Sequence, residues 1–191
     1  MLCIAYANEM SDACISHGID PYEVSAVAAT KPFGYMPYTP GLGVGGPCIP
    51  VNPYYLFLNN RFPLLQLATE TMERRPASIA SRLMAKLKNP ANPPRILVVG
   101  VGFKRGQSLL SHSPGVALIK ALQENWEVEV NFADPLVDQA SLPFARRLNQ
   151  RTEWNEEYLG SFNLIIIAVK QIGLDLDLLD NVEVPIEQFA P

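Results

Sequence analysis

The run Arg95-Ile-Leu-Val-Val-Gly-Val-Gly-Phe103 constrains the fold of this chain more than any other stretch. Its apolar, partly β-branched residues do not alternate with polar ones, so both faces of the extended segment need covering, as in a central strand of a parallel sheet. It ends in Gly-x-Gly, a tight strand exit. Glu127 to Phe132 reads as a second strand and Asn163 to Val169 as a third, and Ser113-Pro114 caps a helix running through Leu122 between the first two. Strands alternating with helices predict an α/β fold built on a Rossmann-like parallel sheet.

Before this run the period is helical. Cys3, Ala7, Met10 and Cys14 share one helical face, and Cys3 and Cys14 read as core thiols. No capping residue precedes Leu2, so the opening helix is expected to continue upstream of the sequence. Gly18 reads as its C′ residue, and Asp20-Pro21-Tyr22-Glu23 starts a second helix with Val24, Val27 and Ala28 as its buried stripe. Residues 31–50 hold five prolines and five glycines, so no regular element fits. Asn52-Pro53 reads as a further helix start, and a long helical stretch from Leu64 to Lys88 is expected to break at Pro76. The proline-rich stretch 89–94 reads as a linker. It divides the chain into an all-helical part, 1–89, and an α/β part, 95–191; neither repeats nor low-complexity segments occur.

Composition narrows the function. At 48% apolar residues the chain has enough for a core, and its net charge of −4 argues against nucleic acid as a partner. Arg74-Arg75 and Arg146-Arg147 are short basic pairs that read as solvated helix faces. The longest apolar run, Leu164 to Val169, is far below the roughly 20 residues that span a bilayer, and no signal peptide opens the chain. Three unpatterned cysteines fit reduced thiols, so the expected location is cytoplasmic. His17 and His112 have no partner at ligand spacing, and no metal is expected.

Two segments could carry chemistry. Gly100-Val101-Gly102 is half of a dinucleotide fingerprint, lacking the third glycine and an acidic residue capping a second strand about 20 residues on. A phosphate there, near Lys104 and Arg105, and a plain tight turn with two solvated cations both fit. The second segment is GLGVGGPCIPVNPYYL, 41–56. Its glycines admit close backbone approach, and Pro47 and Pro50 stiffen the position of Cys48. Cys48 reads either as a nucleophile activated by the helix start at Asn52-Pro53 or as a buried structural thiol.

Together the two segments resemble a family. PYTPGLGVGGPCIPVNPYYL followed by VVGVGFKRGQSLLSHSPG, with IAYANEM, GIDPYEV and AATKPFGYMPY upstream, is similar to the nucleotide-sugar 6-dehydrogenases, above all the UDP-N-acetylmannosamine dehydrogenase branch. The resemblance implies oxidation of a UDP-sugar C6 alcohol to the carboxylate with NAD as cofactor. It makes Cys48 the nucleophile and Tyr38, Gly41, Gly43, Gly45, Gly46, Asn52, Phe103 and Lys104 substrate-binding residues. It also implies a homodimer through central helices, with residues 1–89 as the central domain and 95–191 as the nucleotide-sugar domain. The family's N-terminal NAD-binding domain, with a lysine and asparagine of the opening helix, falls outside this sequence.

Further departures follow. Pro47 replaces the family's histidine, Asn52 its acidic residue and Ser111 its loop arginine, while NVEVPIEQFAP lacks the closing Asp-x-Arg strand. The expectation is a chain truncated at both ends and unable to complete the reaction alone. The competing reading is a non-catalytic dimerisation or regulatory module that binds a homologue or a nucleotide sugar.

Overall fold

The computed structural model describes residues 1–34, 36–87 and 93–190. Its sheet centres on β1 (Arg95–Val99), hydrogen-bonded in parallel to β2 (Glu129–Ala133) on one side and β4 (Leu164–Ile167) on the other. Ile96 stands opposite Val130 and Leu164, and the central residues Ile96 to Val99 are fully buried, as an apolar run on both faces requires. Two short edge strands complete the order β3-β2-β1-β4-β5: β3 (Arg146–Arg147) beside β2, and β5 (Ile186–Gln188) beside β4.

Both edges differ from expectation. Arg146 and Arg147 lie in a strand rather than on a helix face, because backbone pairing to Asn131 and Phe132 places them. At the other edge, Ile165 pairs with Ile186 without any Asp-x-Arg side chains, since ladder bonds are made by the backbone.

Helix α5 (Pro114–Asn125), capped by Ser113 Oγ accepting the Val116 N–H, covers one face of the sheet; its expected end at Leu122 extends by three residues. On the other face lie Leu148, Leu159, Phe162 and Leu179, from the connections around the short helix α6 (Glu156–Leu159).

Four helices precede the sheet: α1 (Leu2–Ser16), α2 (Pro21–Ala29), α3 (Asn52–Phe57) and α4 (Pro63–Lys86). Gly18, at φ +66°, follows α1, and Asp20 caps α2 by accepting the Tyr22 N–H. Residues 31–50 form no regular element among those described. The stretch 89–94 lies mostly outside the described residues.

Several helical expectations need correction. Helix α4 runs through Pro76 without a break: its buried stripe of Met72, Pro76, Ile79, Ala80 and Leu83 keeps helical period across the proline, and packing against α5 offsets the roughly 3 kcal/mol that an interior proline costs. Helix α3 takes Val51 as its cap, with Asn52 already inside the helix and no side-chain cap bond. Helix α2 has no buried residue, and Val27 is exposed. Helix α1 turns Ala5 and Asn8 to the core; Cys14 is buried but Cys3 is exposed, because polar contacts to α4 set its rotation. Arg74 is solvated, whereas Arg75 is buried.

One apolar core joins the two parts. Leu42, Ile79, Ala80 and Leu83 from the helical region cluster with Ile96, Val98, Leu118, Leu122 and Ile166 of the sheet region. That shared core holds the glycine loop over the carboxyl end of the sheet.

Candidate nucleotide-sugar site

The glycine loop is anchored at Gly41. Its N–H donates to Oδ1 of the buried Asn8 (2.8 Å), and its carbonyl accepts from Arg75 Nε (3.0 Å). Asn8 is itself fixed by donating from Nδ2 to the Ile4 carbonyl (3.0 Å). Arg75 forms a two-armed ion pair with Asp12, to which Arg82 adds a contact at 3.3 Å. A bidentate guanidinium–carboxylate pair is geometrically stiff, so the loop start inherits the rigidity of α1 and α4.

Farther along, the loop lies against the sheet's connections. Gly46, at φ +93°, donates its N–H to the Ser111 carbonyl (2.9 Å), and an added Cβ would stand 2.8 Å from the Phe103 ring. At Gly45 a Cβ would meet Pro114 at 2.8 Å. These positions admit the protein's own Phe103 and Pro114, which brings the loop onto the β1 exit.

Between the loop and the sheet is a cavity of about 680 Å³, lined by Tyr38, Gly41, Gly43, Gly45, Phe103 and Lys104 among others. Arg105 and Lys170 also line it, and among the described residues no Asp or Glu does. Of the sequence-predicted site residues, Gly46, Cys48 and Asn52 lie outside this lining. Gly46 is buried under Phe103, and Cys48 is exposed in a turn whose carbonyl accepts the N–H groups of Val51 (3.1 Å) and Asn52 (2.8 Å). The neighbouring Ile49 does line the cavity. As a nucleophile, Cys48 needs a base. Asn52 is an amide, and the Tyr54 hydroxyl, donating to Glu73 at 2.6 Å, is pushed up to about 12 by that hydrogen bond first and by burial second.

The β1 turn does not fit a dinucleotide. The N–H groups of Val101 (2.9 Å) and Gly102 (3.1 Å), which would face a pyrophosphate in the glycine-fingerprint mode, both donate to Oδ2 of the buried Asp134. An acidic residue does follow β2, Asp134, but it stands farther along than the roughly 20 residues of fingerprint spacing and turns inward onto these N–H groups. A carboxylate already holds the anion position.

Sequence reading missed Asn8, Arg75, Asp134, Lys170 and Gln171. An asparagine and an aspartate at i and i+4 on an otherwise small-residue helix face, Asn8 and Asp12, were the available signal for the first two. Nothing local marks the others.

A parallel sheet in this strand order, with a cavity bearing Lys104, Arg105 and Lys170 at its carboxyl end beneath the glycine loop, defines a Rossmann-like fold with a candidate ligand site. The sequence model of the UDP-glucose/GDP-mannose dehydrogenase family, central domain, matches residues 1–72 of this chain. A UDP-N-acetyl-D-mannosamine dehydrogenase of Pyrococcus horikoshii is 34% identical over 139 residues, covering 70% of this chain and 33% of the relative. One from Campylobacter jejuni is 25% identical over 171 residues, covering 88% and 42%. The solved UDP-D-ManNAc dehydrogenase of Pyrococcus horikoshii shares the fold at a TM-score of 0.76 and 23% identity, covering 98% of this chain and 48% of that one. The chain thus spans less than half the length of these relatives.

Proposed function

We propose that this chain is the substrate-binding part of a nucleotide-sugar 6-dehydrogenase acting on a UDP-N-acetylhexosamine in the cytoplasm. The carrying observation is the cavity: its cations without acids suit a diphosphate, and its Tyr38 and Phe103 faces suit a base or sugar ring. Residues 1–89 form the central domain and 95–191 the nucleotide-sugar domain, with Tyr38, Gly41, Gly43 and Gly45 wrapping the ligand and Lys104 neutralising phosphate. Gly46 seats Phe103 from below, and Asn52 holds the turn that presents the thiol of Cys48 at the cavity edge.

The chemistry assigned to these residues is binding and attack. After the C6 alcohol has been oxidised to the aldehyde, the Cys48 thiolate adds to C6, the C–S bond forming as the C=O π bond opens onto oxygen, which takes a proton from water to give the thiohemiacetal. NAD, implied by the family, would be the hydride acceptor. Isothermal titration of the purified chain with UDP is expected to show binding, with no absorbance rise at 340 nm when UDP-N-acetylmannosamine and NAD are added. Absence of UDP binding overturns the reading.

A second reading rests on a separate observation. Leu2, Tyr6, Met10 and Met36 are exposed large side chains around an apolar cavity of about 590 Å³ between α1, α2 and the residues Gly34, Met36 and Tyr38. They fit a homodimer through the central helices, which also suits a non-catalytic dimerisation or regulatory role. Dimerisation without UDP binding would favour that role.

A further inference from the structure

The exits of β1, β2 and β4 are joined by one buried amide. Gln171, 2% exposed, follows β4 and accepts at Oε1 the N–H groups of Gly106 (2.6 Å) and Ile172 (3.1 Å). Its Nε2 donates to the Gln107 carbonyl (3.1 Å) and lies 3.4 Å from Asp134 Oδ2. The Gln107 N–H in turn donates to the Lys104 carbonyl at 3.1 Å, closing the turn 104–107. Gln171 thus grips the turn that carries Lys104 and Arg105 while holding the carboxylate that fixes Val101 and Gly102.

The residue before Gln171 is Lys170, half-buried and lining the same cavity as Lys104. Among the described residues neither Lys104, Arg105 nor Lys170 stands within ion-pair distance of an acidic group. Lysines on a cavity wall without acidic partners are arranged for an anion from outside. Two cation-bearing segments come from different strand exits, and their relative placement depends on the Gln171 amide.

We propose that Lys170 is a second diphosphate-binding residue of the cavity, and that Gln171 is the positioning residue that registers it with the Lys104 turn. The proposal rests on the nucleotide-sugar reading and deepens it, assigning recognition of the second phosphate to a residue outside both sequence segments first marked as functional. With Asp134 holding the β1 amides, the ligand's charge falls to these side chains. A diphosphate, engaging both segments, gains from their registration; a monophosphate engaging one does not.

The test compares UDP and UMP affinity by titration calorimetry, for the full chain and the variants Lys170→Met, Lys170→Arg and Gln171→Met. Lys170→Met is expected to weaken UDP about tenfold, leave UMP within about twofold, and make UDP affinity less sensitive to salt. Lys170→Arg keeps the charge and should stay within about threefold of the parent for UDP. Gln171→Met should lower the UDP-to-UMP affinity ratio at least threefold, whereas a purely structural loss would lower both affinities together. If the parent binds UDP and Lys170→Met binds it equally well, the inference fails while the nucleotide-sugar reading stands. If the parent does not bind UDP, both fail. Should Gln171→Met not fold, the Lys170 pair still decides the cation's role, and Gln171→Glu, which keeps the acceptors for Gly106 and Ile172, decides the positioning role by the same ratio; a ratio equal to the parent's removes it.

Discussion

The helical and sheet regions solve the same burial problem by different means. In the sheet region β1, β4 and α5 bury nearly continuous apolar surface, with Ile96, Leu97, Leu118, Leu122 and Ile165 fully enclosed. Among the described residues, all the exposed large apolar side chains except Leu109, Phe144 and Ile172 lie in residues 1–67. There the contact of α1 with α4 rests on Ala5, Ala68 and Met72, together with the Asn8, Asp12 and Arg75 bonds. Apolar area supplies about 25 cal/mol per Å² without demanding exact geometry, whereas a few polar bonds demand it. The region that holds the glycine loop is therefore the geometrically specified one, and the region beneath it the more deeply buried one.

The largest test of this contrast is Gly100→Ala. At φ +75° an added Cβ would stand 2.0 Å from the Val169 carbonyl oxygen, so β1 and β4 cannot both keep their places. We expect a loss of about 4 kcal/mol or more, at the upper end for one substitution, measured by urea unfolding. Because one core joins the regions, the helices should unfold in the same transition. A separate transition for the helices would break the comparison.

Arg75→Met comes next. It removes the bonds to Gly41 and Asp12, while Asp12 keeps Arg82, so the expected cost is about 2–3 kcal/mol. Hydrogen exchange should speed up in α1 and the glycine loop and stay unchanged in β1 and β4. Uniform acceleration would show that the polar anchors serve the whole fold rather than the loop.

The same contrast explains what was legible in the sequence. Arg95 to Val99, Leu164 to Ile167 and α5 were readable because apolar runs of that length have few other uses, and the Ser113-Pro114 cap is local chemistry. Helix α1 was read on the wrong face, since Cys3, Ala7 and Met10 are apolar and periodic, while the face that docks carries Asn8 and Asp12. Their i, i+4 spacing is the local sign of that face, and the partner that completes it, Arg75, lies more than sixty positions away. Pro76 was read as a break because interior proline is costly locally, and the packing that outweighs it comes from α5. At the site, Tyr38, Gly41, Gly43, Gly45, Phe103 and Lys104 were legible from their strings and line one cavity. Asp134, Lys170 and Gln171 were not, since their roles depend on which strand exits the topology brings together.

A smaller effect separates folding from assembly. Tyr6, 65% exposed on α1, should tolerate Tyr6→Glu with a change within about 0.5 kcal/mol in stability at concentrations where the chain is monomeric. If the exposed apolar face is the dimer surface, the same variant raises the dimer dissociation constant at least tenfold by sedimentation. An unchanged constant would leave the helical region's exposed side chains without that role.

The smallest effect lies on the sheet's edge, where Glu153 pairs with Arg146 and accepts the Asn149 N–H at 2.7 Å. Burial pushes the Glu153 carboxyl up, but the Arg146 guanidinium and the Asn149 N–H outweigh it and hold it below the ordinary carboxylate range. A carboxyl that ionises more readily folded than unfolded contributes fully above its unfolded pKa, and that contribution disappears as pH falls through the lowered folded value. Arg146 is half-exposed, so solvent screening keeps the effect below about 1 kcal/mol. Glu153→Gln should therefore cost a few tenths of a kcal/mol at pH 7 and flatten the acid limb of the stability curve, without moving either part's hydrogen exchange at neutral pH. A loss at pH 7 as large as that of Arg75→Met would mean that the sheet region too is held by specific polar geometry, and the contrast between the regions would be one of position rather than of kind.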